Sequence, residues 1–206
     1  MKSLVKSSIN FAHENVEGGE VTPAAETGFT NLFEHSVEEA LNQETEGWSI
    51  EEGEPDLWKQ SSHLMMSCLC AFNFRAFATI HFNHDKPTHH YVTNLIGHGG
   101  GEESVDELVN GFFLERTNLV VGFLKRELGK KYLHLGVSAP DILSRDAIKH
   151  HQTLNHSLNI FLAASHLGSG INFPCGLYLS PYGVLDYSYS REHDHEELDT
   201  GSLEFF

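Results

Sequence analysis

One long amphipathic helix constrains the fold of this chain more than any other feature of its sequence. Between Ser104 and Gly129, apolar residues recur at steps of three and four. A rotation of about 100° per residue gathers them into one broad arc. Ser104 followed by Glu107 matches a capping box at a helix start, and Gly129 is typical of a helix end. We therefore expect this helix to cover a core with the arc formed by Val105, Leu108, Val109, Phe112, Phe113, Leu119, Val120 and Phe123.

Shorter periodic segments predict the remaining elements. Apolar residues at helical spacing predict helices over residues 28–47, 86–97 and 147–167. In the last of these, Leu154, Leu158, Phe161 and Leu162 would share one face. Short runs rich in aromatic or apolar residues, bounded by polar residues, predict strands over 64–72, 74–82, 132–137, 172–179 and 184–189. The first two would form a hairpin, and the last two another around a turn at 180–183. The predicted fold class is α+β, an antiparallel β-sheet with long flanking helices.

Composition and charge limit the classes of partner. With 206 residues and 40% hydrophobic content, the chain can bury a real core. Its apolar runs are far shorter than the ~20 residues of a membrane helix, and the N-terminus lacks a signal-peptide pattern, so we expect a cytoplasmic protein with no membrane partner. A net charge of −16 disfavours nucleic acid and anionic lipid. We expect a flexible arm over 1–27, one domain over 28–190 and an acidic tail over 191–206.

Cysteine and histidine patterns do not indicate a metal site. Cys68 and Cys70 are two residues apart in a predicted strand and would share one face as reduced, buried thiols. Fifteen histidines are present, with His81, His84, His89, His90 and His98 in one region, but none has a recognised ligand spacing. A weak cation site in the tail at His193 and His195 is no better supported than a solvated acidic segment. No G-x-S-x-G nucleophile motif is present.

A polar stripe runs along the long helix beside its apolar arc. Glu115, Asn118 and Gly122 fall on one side, because steps of three and four residues return a helix to the same face. A carboxylate and an amide thus stand next to each other, near a residue without a side chain. Leu114 and Val121 are predicted to form an apolar rim outside the core arc, where a docking partner could use them.

These residues resemble the motif of the CheC/CheX family of response-regulator phosphatases. That family carries E-x-x-N on a long helix, then a small residue and a proline in the following strand region, and Glu115, Asn118, Gly122 and Pro140 match in order. The order of elements over about residues 28–189 is also similar. The chain is closest to the single-site CheX type, because residues 147–167 contain no second E-x-x-N. An earlier E-x-x-N, Glu107 to Asn110, is too far from Pro140 and is interpreted as coincidence.

The resemblance implies a protein phosphatase acting on a phosphorylated, CheY-like receiver domain in chemotaxis or another two-component pathway. Glu115 would position a lysine of the partner, and Asn118 would orient the attacking water. Leu114, Val121, Gly122 and Pro140 would help bind the partner. The Mg²⁺ would be supplied by the partner, so that this chain would bring no cofactor of its own. The family also implies a homodimer, for which pairing of sheet edges is one route.

Two alternatives remain open at the sequence level. Glu115 and Asn118 could be an ordinary solvated helix face, since a bare E-x-x-N is common by chance. The chain could also be a binding module that keeps the fold and the partner surface without turnover. Gly111 makes this second alternative concrete, because the family often has Asp or Ser four residues before the glutamate.

Overall fold

Three α-helices and seven β-strands form the described part of the chain in this computed structural model, which comprises residues 19–42, 47–54, 57–96, 104–144 and 156–191. The helices are α1 (Pro23–Asn42), α2 (Lys86–Ile96) and α3 (Val105–Gly129). The strands are β1 (Trp48–Glu52), β2 (His63–Cys70), β3 (Phe74–Phe82), β4 (Gly136–Val137), β5 (Asp141–Ser144), β6 (Leu158–His166) and β7 (Asn172–Pro181). A short 3₁₀ helix, Leu57–Gln60, lies between β1 and β2.

All seven strands belong to one antiparallel sheet. The order is β1-β6-β7-β3-β2-β4, and β5 pairs with β2 on the same side as β4. Sequence neighbours β2 and β3 form the predicted hairpin, in which His63 faces Phe82 and Cys70 faces Arg75. The predicted α+β class, an antiparallel sheet with flanking helices, is confirmed.

The core lies between one face of the sheet and the helices α1 and α3. Alternate residues of β3 are buried against this layer, as expected for a strand with period-two side-chain alternation. Phe82 of β3 stacks on Phe113 of α3 with ring centroids 4.2 Å apart. α3 therefore lies directly on the central hairpin and also packs along α1.

The helix predicted over 147–167 is wrong for the part that the structure describes, because residues 158–166 form strand β6. Residues 145–155 lie outside the described ranges. In β6 the core-facing residues are Leu158, Ile160, Leu162 and Ala164, which alternate along a strand. The helical spacing of Leu158, Phe161 and Leu162 was misleading because a short apolar run fits both periods. Pairing with β7 on one side and β1 on the other decides the outcome.

The predicted strand over 184–189 is also wrong. β7 forms its hairpin with β6, and residues 184–189 run on as irregular chain. Leu185 within this segment makes an isolated parallel bridge with Val21 near the start of α1. Of the strand predicted over 132–137, only Gly136–Val137 is a strand. Tyr132, three residues after the end of α3, is buried. The sequence analysis missed β1 and β5.

The boundary predicted between residues 27 and 28 is too late. α1 begins at Pro23, where a missing backbone N–H costs nothing. The side chain of Thr22 accepts a hydrogen bond from the Ala25 backbone N–H at 3.1 Å, as a helix cap does. Gly19 donates its N–H to the Pro181 carbonyl, and a Cβ there would lie 2.3 Å from the Gly183 oxygen. Residues 19–27 thus belong to the domain, and residues 1–18 lie outside the described part.

At the other end, the predicted acidic tail over 191–206 includes Arg191. Its guanidinium forms ion pairs with Glu34 and Glu38 of α1, at 3.4 and 2.8 Å. Residues 192–206 are not among those described. Within the described ranges, none of the three helices combines the length and the apolar composition that a bilayer span requires.

The three cysteines do not all match the predicted buried, reduced state. Cys175 is buried, Cys68 is half-buried and Cys70 is exposed, and all three are unbonded. The two Sγ atoms of β2 lie 3.5 Å apart, so Cys68 and Cys70 do share one face. Burial and the neighbouring Cys70 raise the pKa of Cys68 to about 12, which keeps this thiol protonated at neutral pH.

Candidate functional site

The helix that carries the predicted site begins as its sequence predicts. The Ser104 side chain accepts a hydrogen bond from the Glu107 backbone N–H at 3.3 Å, and the Glu107 carboxylate accepts one from the Ser104 N–H at 2.7 Å. This reciprocal pair satisfies backbone donors that the first turn of a helix leaves without partners. α3 then continues through its 25 residues to Gly129.

Two buried polar residues fix the turn between Glu115 and Asn118. Arg116 is 3% exposed and donates from Nη1 to the Ala40 carbonyl at 2.7 Å, near the end of α1. A cation at that position also complements the negative end of the α1 dipole. Thr117 is buried as well, and its hydroxyl donates to the Phe113 carbonyl at 2.8 Å. Because these two residues face inward, their sequence neighbours on either side face outward.

The predicted stripe is exposed over its full length. Glu115 and Asn118 are both exposed, and neither forms a hydrogen bond or ion pair with the residues that the structure describes. Gly111 precedes them and Gly122 follows them on the same side. A Cβ placed on either glycine would meet no atom within 4 Å. The carboxylate and the amide therefore stand next to each other on a surface with few other side chains.

The two residues of the predicted apolar rim differ in exposure. Leu114 is 40% exposed and can contact a partner, whereas Val121 is 3% exposed and belongs to the core. The predicted role of Val121 in binding a partner is therefore wrong. Among the residues predicted to form the buried core arc, Val105 is exposed, because it stands at the first position of α3. Pro140 is half-buried directly before β5, and β5 packs beside α3.

The stripe extends beyond the residues that sequence analysis named. Lys125 and Gly129 are exposed and continue the steps of three and four from Gly122. Following the helical period to the end of α3 would have identified them. The exposed surface that these residues form on α3, hereafter the α3 stripe, comprises Gly111, Leu114, Glu115, Asn118, Gly122, Lys125 and Gly129.

The earlier E-x-x-N of this helix has other tasks within the fold. Glu107 closes the capping box, and its pKa is lowered by the hydrogen bonds from Ser104. Asn110 lies with its Oδ1 3.1 Å from Nε2 of His84. Both side chains are engaged inside the molecule, in contrast to Glu115 and Asn118.

Among the described side chains, no group of three candidate metal ligands includes Glu115. Two basic residues of α3 lie on different faces: Arg116 is buried in the core, and Lys125 is exposed on the stripe. The candidate site thus consists of one carboxylate, one amide and open surface. Such a site can hydrogen-bond and orient a group that a partner brings, and it has no nucleophile of its own.

Comparison with known proteins identifies the fold. No protein-family model matches the sequence, and a search of curated proteins finds no match. Among solved structures, the chain is similar to CheX in the CheX–CheY–BeF3–Mg²⁺ complex from Borrelia burgdorferi, with a TM-score of 0.57, 14% identity, and coverage of 74% of this chain and 98% of that one. It is also similar to CheX from Vibrio vulnificus, with a TM-score of 0.53, 18% identity, and coverage of 73% and 95%.

A third similar structure is a chemotactic CheC-like protein from Shewanella oneidensis, with a TM-score of 0.54, 17% identity, and coverage of 73% of this chain and 97% of that one. Nearly the whole length of each of these proteins is matched, so the likeness spans a complete domain. At this level of identity the comparison establishes the architecture. The chain has the fold of the CheC/CheX family.

Proposed function

We propose that the α3 stripe docks on a phosphorylated, CheY-like receiver domain and that Glu115 and Asn118 promote hydrolysis of its aspartyl phosphate. The observation that carries the proposal is the pair itself: a carboxylate and an amide, exposed and adjacent on a helix whose opposite face is held by Arg116 and Phe113. The partner class is supported by the Borrelia burgdorferi structure of the same fold, which is a complex of CheX with CheY.

The proposed chemistry needs positioning more than acid–base catalysis. Water attacks phosphorus in line with the bond to the aspartyl oxygen, this bond breaks, and the products are a free carboxylate and inorganic phosphate, which takes the water protons. An asparagine amide both donates and accepts hydrogen bonds, so Asn118 can orient that water without changing its own protonation. Holding the water in line lowers the entropic part of the barrier.

Glu115 would act on the partner's side of the interface. Its carboxylate is one helical turn from Asn118 and would form an ion pair with a lysine of the receiver. This contact sets the direction in which Asn118 enters the partner's site. In this proposal the Mg²⁺ belongs to the receiver, and the chain contributes no ligand to it.

The shape of the α3 stripe supports close contact with a partner. Glycine in the interior of a helix costs about 1 kcal/mol relative to alanine. Gly111 and Gly122 have no packing reason within the described structure, since space around their Cβ positions is empty. A partner backbone that approaches α3 closely would give these glycines a function.

The competing proposal is a binding module without turnover, and Gly111 is its basis. The family's acidic or hydroxyl side chain is absent at this exposed position. Both proposals require docking, but only the first requires faster loss of phosphate. We favour the phosphatase because both residues of the E-x-x-N pair are present and accessible.

The test is the decay rate of phosphorylated receiver domains, measured over a panel of purified CheY-like proteins with and without this chain. Asn118→Ala is expected to reduce the acceleration about a hundredfold while leaving the affinity for the receiver nearly unchanged, because the amide acts on water. Asn159→Ala, the same change at an exposed asparagine on β6, is the matched control and should retain full activity. Unchanged decay with measurable, stripe-dependent binding would favour the binding module.

We also propose a homodimer, independently of the phosphatase. Within the described sheet, β1 pairs with β6 alone and so leaves one edge of the sheet open to another strand. Native mass spectrometry should show twice the chain mass of 23.1 kDa. A strict monomer at working concentration would argue against the dimer and leave the phosphatase proposal untouched.

A further inference from the structure

Three elements that are separate in sequence bring two imidazoles and a carboxylate together at the start of α3. His84 follows β3, His89 lies in α2, and Asp106 lies in the first turn of α3. Nδ1 of His84 is 2.9 Å from Oδ1 of Asp106, and Nε2 of His89 is 3.0 Å from the same oxygen. One ligand atom from each residue lies within 4.8 Å of the others.

The contacts within this cluster are not those of ordinary hydrogen bonds. Nδ1 of His84 and Nε2 of His89 are both buried, and neither has a hydrogen bond of acceptable geometry despite its short distance to Asp106. Buried nitrogen atoms without such a bond are uncommon in folded proteins. Two buried ring nitrogens that converge on one carboxylate oxygen are a set of atoms that a cation could bind once they move slightly apart.

A neighbouring side chain sets the tautomer of His84. Nε2 of His84 lies 3.1 Å from Oδ1 of Asn110, and an amide oxygen only accepts hydrogen bonds. Nε2 therefore carries a proton, and Nδ1 is the ring nitrogen that faces Asp106 and can bind a metal ion in place of a proton. Histidines that bind metals are commonly held in this way by a hydrogen bond from the second ring nitrogen.

Residues around the cluster also hold its three side chains in position. Asp85 accepts a hydrogen bond from the Thr88 N–H at 3.0 Å, which caps α2 one turn before His89. The Ser104 capping box fixes the turn that carries Asp106. The ring of His63 packs edge-on against His84, with centroids 4.7 Å apart. The side chains of His84 and His89 are 16% and 32% exposed, whereas that of Asp106 is 63% exposed.

We propose that His84 Nδ1, His89 Nε2 and the Asp106 carboxylate form a binding site for a divalent transition metal of the Zn²⁺ class. Two imidazoles and one carboxylate suit Zn²⁺ and its neighbours, whereas Ca²⁺ and Mg²⁺ require mostly oxygen ligands. With metal–ligand bonds near 2.1 Å, tetrahedral ligands lie about 3.4 Å apart, so small side-chain shifts would admit the ion. Three protein ligands leave the fourth position to water or to a partner.

The site is separate from the α3 stripe. Asp106 and Glu115 are nine residues apart, or about 13 Å along the helix axis, and they point to opposite sides. The proposal therefore stands or fails independently of the proposed phosphatase. The sequence analysis predicted no metal site, because His84, His89 and Asp106 match no known spacing and only the tertiary fold unites them.

The test uses the full chain freed of metal and titrated with Zn²⁺ in competition with a chromogenic chelator. His89→Gln and Asp106→Asn are each expected to weaken the tightest site at least about a hundredfold, and Asn110→Ala about tenfold, as for removal of a second-shell partner. His90→Gln is the matched control, since His90 is the next histidine in α2 and is exposed. Circular dichroism of the metal-free variants verifies their folds.

Two further readouts separate a built site from loose binding by the other histidines. Co²⁺ in place of Zn²⁺ should give the intense visible absorption of tetrahedral coordination, and both ligand variants should lose it. Zn²⁺ should raise the melting temperature of the wild type and of His90→Gln, because it binds only the folded site. Wild-type protein that binds no Zn²⁺, or ligand variants that bind it as tightly as His90→Gln, would overturn the proposal.

Discussion

The two faces of α3 differ in what the fold demands of them. On the inner face, Phe113 stacks on Phe82, and Arg116 donates a hydrogen bond to the Ala40 carbonyl of α1. On the outer face, Glu115 and Asn118 form no hydrogen bond or ion pair with another described residue and stand between glycines whose Cβ positions are open. The comparison teaches that contacts within the fold account for the inner face, whereas nothing within the described chain requires Glu115 and Asn118 on the outer face.

The largest effect on stability should come from truncating a buried side chain on the inner face. Phe113 is fully buried, and Phe113→Ala should lower the free energy of unfolding by about 3–5 kcal/mol through lost burial and a cavity. The adjacent Leu114→Ala, on the outer face, should change it by only about 0.5 kcal/mol. Urea unfolding measures both. Equal losses at the two positions would remove the distinction between the faces.

A smaller loss is expected from the buried cation. Arg116→Met keeps most of the volume but removes the hydrogen bond to the Ala40 carbonyl, which should cost about 2 kcal/mol. Lys125→Met makes the matching change on the outer face and should be nearly neutral. If Arg116→Met proved as stable as the wild type, Arg116 would not be what orients the Glu115–Asn118 turn.

Glu127, near the end of the inner face, makes the stability of the fold pH-dependent. Burial raises its pKa, but the hydrogen bonds and charges of Lys130 and Arg126 outweigh this effect, and the net pKa is lowered from 4.5. The ionised carboxylate therefore stabilises the fold above pH 4.5, and this contribution is lost as the pH falls through the folded-state pKa. Glu127→Gln should be less stable than wild type at pH 7, with a difference that shrinks in acid.

Urea unfolding from pH 7 down to pH 3.5 measures this difference. Glu115→Gln is the matched control from the outer face, and at pH 7 it should be nearly as stable as wild type, because Glu115 forms no ion pair with a described residue. A Glu127→Gln difference that did not shrink below pH 4.5 would contradict the assignment of the ion pairs.

The smallest effect, and opposite in sign, is expected on the outer face. Gly122→Ala should stabilise the fold by about 0.5–1 kcal/mol, because alanine favours helix and nothing obstructs its Cβ. Thermal unfolding would detect this gain.

A larger side chain at the same position tests docking. Gly122→Trp should fold normally but weaken docking of a receiver domain. Normal docking would show that the partner does not approach this part of the stripe.

Local patterns were sufficient to predict several elements. The capping box at Ser104 and the period of α3 placed both ends of the helix and the exposure of Glu115 and Asn118. The β2–β3 hairpin was predicted because its two strands are short, aromatic-rich runs bounded by polar residues and adjacent in the chain. Prediction failed where pairing is non-local: residues 158–166 become a strand because β7 and β1 flank them, and no pattern within that segment distinguishes the two outcomes.

The sequence by itself determined the amphipathic helices, the central hairpin and the E-x-x-N stripe, because each depends on residues within a few turns of one another. The tertiary structure decided the burial of Val121, the strand conformation of residues 158–166, and the proximity of His84, His89 and Asp106. These outcomes depend on which segments pack together in space. The spacing of residues along the chain does not specify which distant segments will meet.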